Sequence, residues 1–178
     1  MTIVRVIDGD IAAVEADALL TAINSGGMWF GGIDGVIARA AGSQFHIQAA
    51  DALAQQRDVK VVVAPKQSDH HGRFEDVVFV IDDLDESLMF VVFRGLDAAA
   101  AAGYKRISIP AIRLGVMKNV GGDVETKIDA IADALVAHMM DSEPTLDEVT
   151  IVTYNDPDLQ QRFAAAIEAN GILRMTDT

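Results

Sequence analysis

The sequence predicts an α/β fold with a sheet covered on both faces. Three observations carry the prediction: short Val/Ile-rich runs recur along the chain, helical spacing fills the stretches between them, and most runs are continuously apolar. Alternating strand and helix signals build a layered α/β sheet, and continuous apolarity marks strands buried on both sides. The 178 residues are 51% hydrophobic and 23% charged, enough apolar material for a proper core. Neither a repeat nor a Pro/Gly/Ser-rich linker divides them, so residues 1–178 are expected to form a single domain.

Strands are expected at 3–6, 18–23, 59–64, 77–81, 107–109 and 149–153, each bounded by charged or Gly residues. Between the second and third, residues 35–56 read as one helix with Gly42 as an interior weak point. Polar residues 66–75 read as a loop between strands. The run LMFVVF could itself be a strand, but the length of 86–102 and the five alanines from Ala98 to Ala102 decide for a closely packed helix. Ile128, Ile131, Ala132, Leu135 and Met139 share one face of a helix over 124–140. Leu159, Phe163, Ala166 and Ile167 define the last helix, with Asp156 as N-cap, Pro157 in its first turn and Gly171 where it stops.

Charge and composition exclude several functions. The net charge of −13 opposes the phosphate backbone, so duplex nucleic acid is not an expected partner. Zero cysteines exclude disulfides, a thiolate nucleophile and cysteine-based zinc, and are compatible with a reducing cytoplasm. The longest apolar runs are too short for a membrane helix, and MTIVRVIDGD lacks a signal-peptide pattern. Gly-Lys-Ser/Thr and Gly-x-Ser-x-Gly are both absent, which argues against a P-loop and a hydrolase elbow. No metal or cofactor is called for. Asp69-His70-His71 lacks further ligands, and Asp82, Asp83, Asp85 and Glu86 read as a solvated helix N-terminus rather than a calcium loop. His46 and His138 read as structural.

In open α/β sheets, ligands bind at loops leaving the carboxyl ends of strands. The first such loop, residues 24–35, holds five glycines in twelve residues and leads into a helix. Gly31 and Gly32 there would present amides to a phosphate; a plain flexible connection is the competing reading. The second, residues 110–122, also joins a strand to a helix, and the two loops together could cradle two phosphates.

The order of these motifs resembles the macro domain family. The matching residues are Gly9-Asp10-Ile11, the run from Asp17 to Asn24, Gly31-Gly32-Ile33-Asp34-Gly35, Ala40-Ala41-Gly42, the run from Ile107 to Ile112, Gly115-Val116, and the final strand ending in Tyr154-Asn155. The resemblance spans nearly the whole chain and is most specific from Gly9 to Gly42. It implies a three-layer α/β/α sandwich with a central mixed sheet, whose cleft takes ADP-ribose or an ADP-ribosylated protein. It further implies that Asp10 accepts from the adenine amino group, with the Ile11 amide beside it, and that Tyr154 stacks on adenine. Gly31, Gly32 and Ile33 would face Leu114, Gly115, Val116 and Met117 across the diphosphate, and Asn24 would lie by the distal ribose. Asp34, ten positions after Asn24, matches the carboxylate of members that remove mono-ADP-ribose from proteins or deacetylate O-acetyl-ADP-ribose; a helix-dipole role is its bland alternative. A non-catalytic reader of ADP-ribose or a related nucleotide signal is the alternative function.

The chain departs from the family pattern at Thr21, at Trp29 and Phe30, and at Arg113, Leu114, Met117 and Lys118. Trp29 or Phe30 would then supply the aromatic wall missing at Met117. Lys118 stands where the family carries glycine, and a lysine at a position of positive φ implies a different loop path.

Overall fold

The computed structural model describes residues 2–27, 32–141, 143 and 145–172. Six strands, β1 (Ile3–Asp8), β2 (Ala16–Ile23), β3 (Val61–Ala64), β4 (Phe74–Ile81), β5 (Arg106–Pro110) and β6 (Glu148–Thr153), form one sheet in the order β1-β6-β5-β2-β4-β3. All neighbours pair in parallel except β3 with β4, so the sheet is mixed, as expected. Five helices connect and cover it: α1 (Gly32–Ala41), α2 (Gln44–Gln55), α3 (Leu88–Ala101), α4 (Val124–Asp141) and α5 (Pro157–Ala169).

Side chains alternate across a strand, so each central strand feeds two cores. Ala18 and Leu20 of β2 and Val78 and Val80 of β4 face a core shared with α3, α4 and α5. Their neighbours Leu19 and Ile23, with Val77, Phe79 and Ile81, face a second core under α1 and α2, closed by Ile37 and Phe45. The result is three layers. The alanine run packs as expected: Ala99 and Ala100 are buried in α3, and Gly95 lets that helix settle on Leu20.

One expectation fails here. Residues 35–56 are not one helix, because α1 ends at Ala41 and α2 starts at Gln44. Gly42 sits between them at φ +67°, where an L side chain is strained, and turns the chain by a sharp corner. The loop of 66–75 is shorter than read, since β4 begins at Phe74. At the other end of the chain, Asp156 Oδ1 accepts from the Leu159 amide at 3.0 Å, Pro157 opens α5, and Gly171 follows at φ +69°.

His138 is structural, as expected. It is fully buried on α4, and its Nε2 accepts from the Leu146 amide at 3.2 Å. Burial holds its pKa below the ordinary value, with only partial opposition from Asp97. A buried neutral imidazole costs nothing above the unfolded pKa near 6.5. Below it the unfolded chain binds a proton that the native chain refuses, so stability falls as pH drops, by up to about 1.4 kcal/mol per unit until the folded pKa is reached. Thermal unfolding followed from pH 7 to 5 should therefore show a steeper loss of Tm in the native chain than in His138→Gln. Parallel curves would contradict the assignment.

Candidate functional site

A cleft of about 950 Å³ opens where the parallel strands end. Asp10 and Ile11 follow β1, Thr21 and Ala22 end β2, Asp82 follows β4, Pro110 ends β5, and Thr153 and Tyr154 follow or end β6; all line it. The first turn of α1 and the loop at 114–117 form opposing walls.

The α1 wall is one helical face. Gly32, Ile33, Val36, Arg39 and Ala40 border the cleft, at the spacing that stacks residues along one side of a helix. The N–H groups of its first turn have no intrahelical acceptors and carry the positive end of the helix dipole. In the facing loop, Leu114 N donates to Ala111 O and Lys118 N to Gly115 O, both at 3.0 Å. Between those bonds the amides of Gly115, Val116 and Met117 have no backbone acceptor among the described residues. Consecutive free amides make an anion-binding concavity. This supplies a place for phosphate on a protein of net charge −13.

Two buried cations hold that loop. Arg113, 8% exposed, forks onto the 2% exposed Asp82: Nε donates to Oδ2 at 2.8 Å and Nη2 to Oδ1 at 2.5 Å. Nη2 also donates to the Glu86 carbonyl at 3.0 Å. From below, Lys127 Nζ donates to the carbonyls of Met117 (3.0 Å) and Lys118 (2.8 Å). Burial, with Arg113 nearby, lowers the Lys127 pKa. Lys127 thus holds the carbonyls of Met117 and Lys118, while Gly115, Val116 and Met117 line the cleft.

These contacts correct the sequence reading of the acidic cluster. Asp82 is a buried ion-pair partner, not a solvated cap. Glu86 binds Arg94 through two bonds of 2.7 and 2.8 Å and Lys60 at 3.6 Å, and the Arg94 hydrogen bond in particular holds its carboxyl down to about 2. Asp83 accepts from the Ser25 amide at 2.8 Å and so ties down the start of the glycine-rich loop. Lys118 is not among the residues at positive φ, which in this loop are Arg113 (φ +62°), Gly121 and Gly122, in keeping with the different loop path expected for a lysine there. Lys118 reaches across to Asp156 at 3.9 Å.

At the far end, Asp10 Oδ1 accepts from the Ala12 amide at 2.9 Å, and no described residue occupies its other oxygen. Tyr154 stands 74% exposed on the rim. Asp8 fixes the rim there, accepting from Thr153 Oγ1 at 2.7 Å and from the Asp156 amide at 3.0 Å.

Asp34 borders the cleft from the first turn of α1, and His46 of α2 meets its Oδ1 through Nε2 at 3.1 Å. The two side chains are only 16% and 14% exposed, and the imidazole lies against Phe79 with centroids 5.4 Å apart. The other Asp34 carboxylate oxygen has no hydrogen-bond partner among the described residues. His46 is therefore structural in a sense the sequence did not reveal, because it positions Asp34.

The cleft thus brings together Asp10, Ile11, Gly32, Ile33, Asp34, Leu114, Gly115, Val116, Met117 and Tyr154. Asn24, just past β2, does not line it. Gly31, Trp29 and Phe30 lie outside the described residues. Sequence reasoning missed Asp82, Arg113, Lys127, His46 and Arg39. Asp82 alone left a signal, an acid directly after a buried strand. Among the described residues no cluster of three or more His, Asp or Glu fits a metal, and no helix is long and apolar enough to cross a membrane. His70, from the Asp69-His70-His71 run, uses Nε2 on the Glu75 carbonyl (3.2 Å) and Nδ1 on the Gly72 amide (3.1 Å).

No family model matches the chain. It is 28% identical over 177 residues to a protein of Enterobacter sp. (strain 638) named O-acetyl-ADP-ribose deacetylase, covering 88% of this chain and 89% of that protein. A protein of the same name from Enterobacter cloacae is 28% identical over 173 residues, with 88% and 89% covered. Among solved structures, a mutant Oceanobacillus iheyensis macrodomain superposes with a TM-score of 0.73 at 17% identity, over 92% of this chain and 90% of that one. The Trypanosoma brucei macrodomain in complex with ADP gives 0.71 at 16% identity, over 91% and 67%. Relatives in sequence and neighbours in fold agree: the chain has the macrodomain fold and is similar along most of its length to proteins named O-acetyl-ADP-ribose deacetylase.

Proposed function

We propose that the chain binds ADP-ribose along this cleft and hydrolyses an ester at its distal ribose, as the name O-acetyl-ADP-ribose deacetylase describes for its relatives. The observation that carries the reading is the meeting, in one cleft, of Asp10, the first turn of α1 and the loop at 114–117. The adenine amino group donates to the free oxygen of Asp10, with the Ile11 amide beside it and Tyr154 against the ring. An acceptor at that position disfavours a purine that presents a carbonyl there, since the carboxylate would be left unpaired. Amides of Gly31, Gly32 and Ile33 and of Gly115, Val116 and Met117 hold the diphosphate from two sides, beside Leu114.

The distal ribose then lies toward Asp34. Held by His46, the Asp34 carboxylate orients a water for attack on the ester carbonyl carbon. The bond from that carbon to the ribose oxygen breaks, the proton lost by water ends on the ribose oxygen, and acetate leaves. Asn24, past the end of β2, is the second residue assigned to this ribose. Its position outside the cleft lining favours a second reading, a reader that binds ADP-ribose or an ADP-ribosylated protein without turnover.

The test of the binding site is Asp10→Ala. The variant should fold normally and bind ADP-ribose at least tenfold more weakly by calorimetry, the worth of one hydrogen bond to a charged group. Unchanged affinity would remove Asp10 from the adenine site.

A further inference from the structure

Among the described residues three arginines border the cleft, and two of them are already committed: Arg113 to Asp82, and Arg73 to Glu15 at 3.0 Å. Arg39 has no ion-pair or hydrogen-bond partner among the described residues. Its side chain folds back along α1, and Nη1 lies 3.2 Å from where a Cβ on Gly35 would stand. The missing Cβ at Gly35 is what admits it.

That position has a meaning along the cleft. Gly32 marks the amide-bearing end of α1. The other end of the α1 wall joins the Asp10 side, because the His71 amide donates to Ala40 O and the Arg73 amide to Ala12 O, both at 2.8 Å. A guanidinium over Gly35 lies about one helical turn, roughly 5 Å, from the first amides. It stands between the diphosphate end and the adenine end, where the adenosine ribose would run. The diphosphate is met by backbone amides and adenine by a carboxylate, so neither accounts for a free arginine. The exposed His71 imidazole borders the same stretch of wall.

We propose that Arg39, with His71 beside it, forms a second anion subsite that takes a phosphate carried on the adenosine ribose of the ligand. The phosphate is a monoester on that ribose. Arginine suits it, because its planar fork matches phosphate oxygens. In a chain of net charge −13, an unpaired cation over a cleft is also where an anionic ligand is drawn in. This inference rests on the ADP-ribose reading.

The experiment compares three ligands by calorimetry: ADP-ribose, its 2′-phosphate and a two-unit ADP-ribose chain, each on the native protein and on Arg39→Gln. The 2′-phosphate should bind the native protein about tenfold tighter than ADP-ribose. Arg39→Gln should bring the two within about twofold of each other. The two-unit chain, joined to that ribose by a glycosidic bond with its next phosphates one further ribose away, should not share the gain, and a shared gain would overturn the monoester subsite. Raising salt to about 0.5 M should shrink the gain on the native protein, a second readout that needs no variant. Equal affinities for ADP-ribose and its 2′-phosphate, or a gain that survives Arg39→Gln, would overturn the subsite. Failure of ADP-ribose itself to bind would overturn the underlying reading and the subsite with it.

Discussion

Asp82→Asn is expected to lower the free energy of unfolding by about 3–5 kcal/mol, the cost of stripping one partner from a buried ion pair. The pair joins the end of β4 to the loop after β5, and both side chains are almost wholly inside. Asparagine keeps the size and loses the charge, so the Arg113 guanidinium is left buried without its counter-ion. Arg113 also sits at φ +62°, a conformation that costs a non-glycine residue roughly 1–2 kcal/mol and that the fork onto Asp82 holds in place. Urea unfolding measures the loss as a lower midpoint at constant slope. A double variant, Asp82→Leu with Arg113→Met, should regain most of the stability, because an apolar pair of similar volume avoids desolvating two charges. Its ADP-ribose affinity should be low, since Lys127 alone then holds the loop at 115–117. Full affinity in the stable double variant would show that the pair serves the core and not the cleft.

Asp34→Ala should abolish ester hydrolysis on O-acetyl-ADP-ribose by a factor of about 10²–10⁴ and change ADP-ribose affinity by only a few fold. The split between turnover and affinity is the informative part. Asp34 reaches the cleft from the first turn of α1, whereas the diphosphate is held by amides that the substitution leaves in place. Asp34→Asn retains a partner for His46 at 3.1 Å but not a carboxylate, and should be as inactive as alanine. His46→Gln should keep the fold and lower kcat more than it raises KM, because it loosens the carboxylate without touching the ligand. Unchanged turnover in Asp34→Ala would remove Asp34 from the reaction, and no turnover in the native protein would leave the reader as the function.

What the sequence made legible follows a physical boundary. Local signals were readable: the apolar runs of the strands, the Asp156-Pro157 start of α5, and the stop at Gly171. The places of Asp10, Gly32 and Gly115 came from the order of motifs, which fixes them at strand ends. Gly42 was seen but misjudged, because helical spacing continues on both sides of it and only its positive φ separates α1 from α2. The partnerships that shape the site were not readable. Asp82 and Arg113 are 31 positions apart, and Asp34 and His46 are 12 positions apart on different helices. Such pairs are set by how the sheet and helices pack, and no spacing within one element announces them. Arg39 was hidden for the opposite reason, since one basic residue in the last turn of a helix looks like ordinary dipole compensation.

The most direct measurement is calorimetric titration of the purified protein with ADP-ribose, with AMP, ribose 5-phosphate and NAD as controls. The account predicts binding in the micromolar range or tighter, about −8 kcal/mol or better, with AMP and ribose 5-phosphate far weaker because each spans only one part of the cleft. No heat and no thermal stabilisation at millimolar ADP-ribose would contradict it, and would mean that the macro fold here serves another ligand.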